Sequence, residues 1–330
     1  MNYFHYRAQI AHARFRSKVA GQEWGRMNYP AGTAYIDGGF VPISEAKISV
    51  LDWGFLHSDA TYDVVHVWKG RFFRLDTHIE RFLRSAGRLR LTLPVSPEKL
   101  AQILAECVSR SGLQDAYVEM ALTRGISPTF SRDPREAHNQ LICFAIPFGW
   151  ILKPEQREAG LPIVLSDIRR IPPDSVDPTV KNYHWLDFVM GLYDAYDRGA
   201  QSAVLTDADG NLAEGPGFNI FTVRQGRIAT PDRGVLRGVT RQSAIELAAE
   251  LGFPPEERVV TAAEARAADE VFITSTAGGI MPVTRINGAA VGEGRMGPVT
   301  RALLEAYWAK HTDGSWSTAV EDVLSGRAPG

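Results

Sequence analysis

Cysteine is nearly missing from this chain: its 330 residues hold two thiols, Cys107 and Cys143, both in apolar periodic stretches without metal-ligand spacing. That excludes a disulfide framework and a thiolate zinc site, and predicts buried thiols in a reducing, cytoplasmic setting. Surplus charge is missing too, because 36 Lys and Arg face 38 Asp and Glu for a net −2. Nucleic acid and anionic lipid are therefore disfavoured as partners. No apolar run reaches the roughly 18 residues of a membrane helix; uncharged stretches such as 137–152 are interrupted by Pro147 and Gly149. Neither GxGxxG with a distant acid nor GxxxxGK followed by Ser or Thr occurs, so dinucleotides and P-loop nucleotides are not the expected ligands. Internal repeats and low-complexity blocks are absent as well.

What is present is a globular composition, 45% hydrophobic, 22% charged and 10% aromatic, and the length predicts two domains with a cleft between them. Residues 1–22 carry Arg7, Arg14, Arg16 and Lys18 without an acid. They are read as part of a helical arm over 1–30 in preference to a targeting segment. Asp37-Gly38-Gly39 turns a hairpin between 33–36 and 40–43. Residues 61–68 alternate, with Tyr62, Val64, His66 and Trp68 on one face and Thr61, Asp63, Val65 and Val67 on the other; Lys69-Gly70 returns the chain along 71–75. The period then becomes helical through Ile79, Phe82, Leu83, Ala86 and Leu89. A second helix over 97–112 and strands at 117–123 and 140–146 complete a small α+β domain spanning 31–147. After a linker at 148–155, residues 156–330 read as a larger mixed α/β domain. It has strands at 162–166, 203–206, 218–222 and 271–274, helices at 185–198, 240–251 and 298–310, and a loose tail from 325.

Only seven of the 36 cationic side chains are lysines. Lys181 differs from the other six in lying within Asp177-Pro178-Thr179-Val180-Lys181-Asn182-Tyr183-His184-Trp185, an apolar and aromatic setting that desolvates an amine and favours a Schiff-base nucleophile. Taken alone, this segment fits a lysine snorkelling at the start of a helix better. In Glu214-Gly215-Pro216-Gly217-Phe218-Asn219, a carboxylate precedes two glycines that let backbone approach a ligand, or simply turn a hairpin. Leu236–Arg241 runs into a helix and 271–274 into Ser275-Thr276-Ala277-Gly278-Gly279, two candidate phosphate cradles. Arg81, beside the helical stripe, either reaches a phosphate or sits on a solvated face. An amine, a carboxylate, an arginine and two cradles match the aldehyde, ring nitrogen and phosphate of pyridoxal 5'-phosphate.

The order of these segments, together with 55–63, 72–81, 230–241 and 276–282, resembles the fold type IV pyridoxal-phosphate enzymes, the branched-chain and D-amino-acid aminotransferase superfamily, and within it the (R)-selective amine transaminases. The resemblance implies Lys181 as the catalytic Schiff-base lysine and Glu214 as partner of the ring nitrogen. It implies Arg81, the amides of Val239 and Thr240, and Thr276 as holders of the phosphate. It also implies a homodimer and ping-pong transfer from a primary amine to a keto acid such as pyruvate. His57, Tyr62, Val64, Trp185 and Ala277 are implied as substrate-pocket residues. One departure stands out: six residues after Arg124, where those transaminases carry a carboxylate-binding arginine, this chain has Phe130. Either Arg132 or Arg135 takes its place through a longer loop, or the acceptor carboxylate is bound differently. Branched-chain or D-amino-acid transamination, and aminodeoxychorismate lysis, are the rival readings.

Overall fold

The computed structural model describes residues 29–326 apart from Asp313. The expected arm therefore lies, except for Tyr29 and Pro30, outside the described residues, as does the tail beyond 326. From Ala31 onward the chain forms one unit.

β1 (Thr33–Ile36) and β2 (Gly39–Pro42) are joined by Asp37 and Gly38, both at positive φ, the geometry whose twist suits a tight hairpin. Next come α1 (Trp53–His57), β3 (Ala60–Trp68), β4 (Arg71–Phe73), α2 (Leu75–Arg88), α3 (Pro97–Ser111), β5 (Ala116–Ile126) and β6 (His138–Pro147). The expected stripe of α2 is buried: Ile79, Phe82 and Ala86 share a core with Val65 and Val67 of β3 and with Leu100 and Leu104 of α3. Helix α3 starts where the sequence says it should, with Ser96 Oγ accepting from Lys99 N at 3.2 Å and Pro97 in the first turn. β3 departs from an ordinary half-exposed strand. Its alternation separates two buried faces, one on this core and one, through Tyr62 and Val64, on the wall of a cavity.

The second lobe contains β7 (Leu161–Arg169), α4 (Leu186–Asp197), β8 (Ser202–Thr206), β9 (Asn219–Arg224), β10 (Arg227–Thr230), α5 (Val239–Glu250), β11 (Glu256–Glu257), α6 (Ala262–Arg266), β12 (Glu270–Ser275), β13 (Gly279–Ile286), β14 (Ala289–Ala290) and α7 (Pro298–Ala309). β7 and β8 pair in parallel through the α4 crossover, which is why Ile163, Val164 and Leu165 form a continuous apolar run rather than an alternating one. Phe221 and Phe272 stack at 4.7 Å and join Leu247 of α5 and Leu303 of α7 in a core of this lobe.

The chain then does something the sequence reading did not foresee. Instead of ending in the second lobe, it forms β15 (Ser317–Ala319) and α8 (Val320–Ser325) against the first. β15 pairs antiparallel with β4, and Val320 enters the first lobe's core. Residues 317–325, which the sequence places within 156–330, therefore pair with the sheet and core formed by 31–147. Among the described residues the two sheets run β15-β4-β3-β5-β6-β1-β2 and β11-β10-β9-β12-β13-β7-β8, with β14 against β13. No helix among them is long and apolar enough to cross a membrane.

Candidate active site

Lys181 lies on the connection from β7 to α4, five residues before the helix begins. A local turn sets up the approach, with Asp177 Oδ1 accepting from Thr179 N at 2.9 Å and from Thr179 Oγ1 at 2.7 Å. The lysine's backbone is tied to the first lobe: its carbonyl accepts from Thr61 Oγ1 at 2.7 Å and from Tyr62 N at 3.2 Å. Its Nζ rests 4.0 Å from the centroid of the Tyr62 ring. The amine thus faces a cavity of about 280 Å³ whose walls come from both lobes.

Arg81 reaches this cavity from α2 with its guanidinium already committed. Nε donates to Asp63 Oδ2 and Nη2 to Asp63 Oδ1, each at 2.7 Å, while Nη1 lies 3.3 Å from the Arg237 carbonyl. His78 Nδ1 stands 2.8 Å from the same carboxylate. Burial pushes the Asp63 carboxyl up, but Arg81 and His78 together bring it well below its usual value.

Glu214 is buried across the cavity. Its Oε2 accepts from Leu236 N at 2.9 Å and from Asn219 Nδ2 at 3.4 Å, and its Oε1 lies 3.3 Å from Arg170 Nε. Burial pushes its carboxyl pKa up, against the neighbouring Arg170. Arg170, which sequence reasoning missed, lines the same cavity. It also donates through Nη1 to Asp187 Oδ2 at 2.7 Å. The glycines after Glu214 have separate causes. A Cβ on Gly215 would sit 2.1 Å from the Phe218 ring, whereas Gly217 adopts φ +76°.

At the far end α5 begins without a side-chain cap: Gly238 is its N-cap, and the first-turn residues Val239 and Thr240 line the cavity. A Cβ at Gly238 would fall 2.3 Å from Asn219 Oδ1. Thr276 faces the same space from the turn between β12 and β13, and Thr274 Oγ1, also in the wall, is buried without a hydrogen-bond partner. An uncapped helix start, a nearby guanidinium and an orphaned hydroxyl suit a phosphate-bearing ligand.

The rest of the wall includes Tyr62, Val64, Trp185 and Ala277, four residues that the resemblance implies for the substrate pocket, together with Tyr117, which is not among them. Three expected residues do not line it. His57 ends α1, exposed, its ring edge-on to Trp53 at 5.1 Å, and faces a separate depression with Ser175 and His184. Arg132 and Arg135 are exposed, and Arg135 is turned back onto Asp133 by a short ion pair. The reason is local: Asp133 caps the turn at 134–136, and its Oδ1 accepts from Arg135 N at 3.0 Å.

Residues 60–286 match the amino-transferase class IV family. A Methanocaldococcus jannaschii protein, provisionally named a branched-chain-amino-acid aminotransferase, is 34% identical over 291 residues, 87% of this chain and 99% of that protein. A D-alanine aminotransferase of Listeria monocytogenes is 30% identical over 275 residues, 80% of this chain and 90% of that one. Among solved structures, a T.th. branched-chain amino acid aminotransferase with pyridoxamine 5'-phosphate superimposes with a TM-score of 0.84 at 30% identity, covering 89% of this chain and 100% of its own. The segments that place Arg81, Lys181, Glu214 and the uncapped helix all fall inside the matched region, and by that match this chain belongs to the class IV aminotransferases and is a pyridoxal-phosphate-dependent transaminase of fold type IV.

Proposed function

We propose that this transaminase moves the amino group of a primary (R)-amine to a keto acid such as pyruvate in two half-reactions. One observation carries the choice of an amine donor. The substrate side of the cavity is aromatic and aliphatic, and the two arginines that line it, Arg81 and Arg170, are each already held by buried carboxylates. An aryl-alkyl amine needs no guanidinium there, whereas a carboxylate, an amino-acid donor's or the acceptor's, would find none unpaired among the described residues and would have to be held by amides and hydroxyls of the wall. Tyr62, Val64 and Tyr117 are bulky wall residues and Ala277 a small one, and side chains of such different size would divide the substrate space into unequal pockets.

Pyridoxal phosphate supplies an aldehyde that takes up the donor's nitrogen and a ring that accepts electrons from the substrate Cα. Lys181 Nζ takes the proton from the donor's Cα in the first half-reaction and returns one to the acceptor's Cα in the second. The Glu214 carboxylate pairs with the protonated ring nitrogen; burial favours its neutral form, and Arg170 and the Leu236 amide oppose that in favour of the anion this pairing needs. Arg81, the amides of Val239 and Thr240, and the hydroxyls of Thr274 and Thr276 hold the phosphate. Each charge-assisted bond contributes roughly 1.5–3 kcal/mol.

Both enantiomers of 1-phenylethylamine, assayed with pyruvate in the wild type and in Lys181→Ala, test this reading. Consumption of the (R) amine, abolished in a folded Lys181→Ala, is the expected result. Preference for the (S) amine, or turnover confined to branched-chain L-amino acids or D-alanine, would assign the chain to the activities its relatives' names carry. Pyruvate release without an amino acceptor would mark a lyase.

A further inference from the structure

Behind the cavity wall, β5 carries a carboxylate that none of the roles above uses. Glu119 is 8% exposed and lies opposite Val64 in the β3–β5 register, within a sheet whose neighbouring side chains are apolar or aromatic. Each of its oxygens takes a phenol: Oε1 accepts from Tyr183 Oη at 2.7 Å and Oε2 from Tyr117 Oη at 3.0 Å. Tyr183 is two residues beyond Lys181 on the same connection. Its ring lies flat on Tyr62, with centroids 4.5 Å apart and planes 4° apart, and it is over the Tyr62 ring that Lys181 Nζ rests. Tyr117 lines the substrate side of the cavity.

We propose that Glu119 is the positioning residue of this active site, fixing the Lys181 amine through Tyr183 and Tyr62 while holding the substrate wall through Tyr117. The lysine's carbonyl is tied down through Thr61 and Tyr62, but those bonds fix backbone and leave a long side chain free to sample rotamers. A flat aromatic platform under the ammonium restricts that sampling, provided the platform itself cannot tilt. Tyr62 is held by its stack on Tyr183, and Tyr183 by one hydrogen bond to a carboxylate that the sheet makes rigid. Burial pushes the Glu119 carboxyl pKa up, while the two phenols and Lys181 oppose it; both phenols are pushed upward in turn and remain donors. This inference rests on the reading of Lys181 as the catalytic lysine.

Three variants of the holoenzyme test it. Glu119→Gln keeps an acceptor for Tyr183 and a polar partner for Tyr117, Glu119→Leu removes both, and Tyr183→Phe removes one hydroxyl while preserving the ring. For each, the single-turnover rate with the amine donor, the KM for pyruvate and the visible circular dichroism of the bound cofactor are measured. The proposal expects Glu119→Leu and Tyr183→Phe to slow the amine half-reaction by roughly 10- to 100-fold, the scale of a misplaced catalytic group. It also expects a changed dichroic band, pyruvate KM within about twofold of wild type, and restoration of both rate and band in Glu119→Gln. If Glu119→Leu fails to fold, Tyr183→Phe, which leaves the sheet intact, decides. Wild-type rate and dichroism in Tyr183→Phe overturn the proposal, as does a Glu119→Gln enzyme no faster than Glu119→Leu. Full activity in Lys181→Ala would instead remove the catalytic reading on which it rests.

Discussion

Asp63 grips Arg81 with both carboxylate oxygens at 2.7 Å, from the middle of a strand where neither side chain meets bulk water. The pair is what keeps a guanidinium beside the uncapped start of α5 without its folding back onto solvent.

Replacing Asp63 by Asn leaves that guanidinium buried without its anion, and breaking such a pair costs roughly 3–5 kcal/mol. Because the folded carboxyl is held below its ordinary value of 3.8, its contribution is complete above that value and is lost as pH falls below it. Thermal unfolding followed from pH 3 to pH 7 should show a wild-type midpoint that drops on the acid side. Asp63→Asn should start lower and drop less. An unchanged midpoint near neutrality would show that the pair is not structural.

Arg170 stands between two buried carboxylates, Asp187 and Glu214. Arg170→Leu removes the first of the cations that oppose the burial of Glu214, so the Glu214 carboxyl rises further and keeps its proton to higher pH. Weaker cofactor retention on dialysis and a slower amine half-reaction are expected, with partial recovery in Arg170→Lys. A fully active Arg170→Leu enzyme would show that Glu214 needs no such counter-charge.

The loop arginines lie away from the cavity, so Arg132→Ala and Arg135→Ala should each leave the pyruvate KM within about twofold of wild type. A rise of roughly 10-fold or more, the loss expected for a charge-assisted carboxylate contact, would mean that this loop folds inward when the acceptor binds.

Gly215→Ala tests the cause of the glycine after Glu214. A methyl there meets the Phe218 ring at 2.1 Å and the Ala203 carbonyl at 2.5 Å, and overpacking of this kind costs roughly 1–3 kcal/mol. A lowered unfolding midpoint is expected in the cofactor-free and cofactor-bound protein alike. Loss confined to the bound form would point to ligand approach instead.

The legible parts of this molecule are those with local causes. Helices α2 and α3 follow from an apolar stripe and a Ser-Pro start, and Lys181 was visible because one amine among many guanidiniums sits in an aromatic segment. Arg170 was not legible, since it is the second of two adjacent arginines at the end of a strand and its nearer carboxylate partner comes 17 residues later. Glu119 did carry a signal, the lone carboxylate of its strand, set between Val118 and Met120. β15 carried none: Ser-Thr-Ala has no period of its own, and its conformation follows from pairing with β4, where Arg71 and Ser317 stand 246 residues apart.

That return of the chain sets an order on synthesis. β4 emerges early and β15 only after the second lobe has been made, so the first sheet waits with one edge open and Val320 absent from its core. A nascent chain with an open strand edge and an incomplete core is exposed to mispairing and to capture by chaperones until residues 317–325 clear the ribosome. Stopping translation just before Ser317 should therefore leave a protein whose second lobe is built and whose first is protease-sensitive.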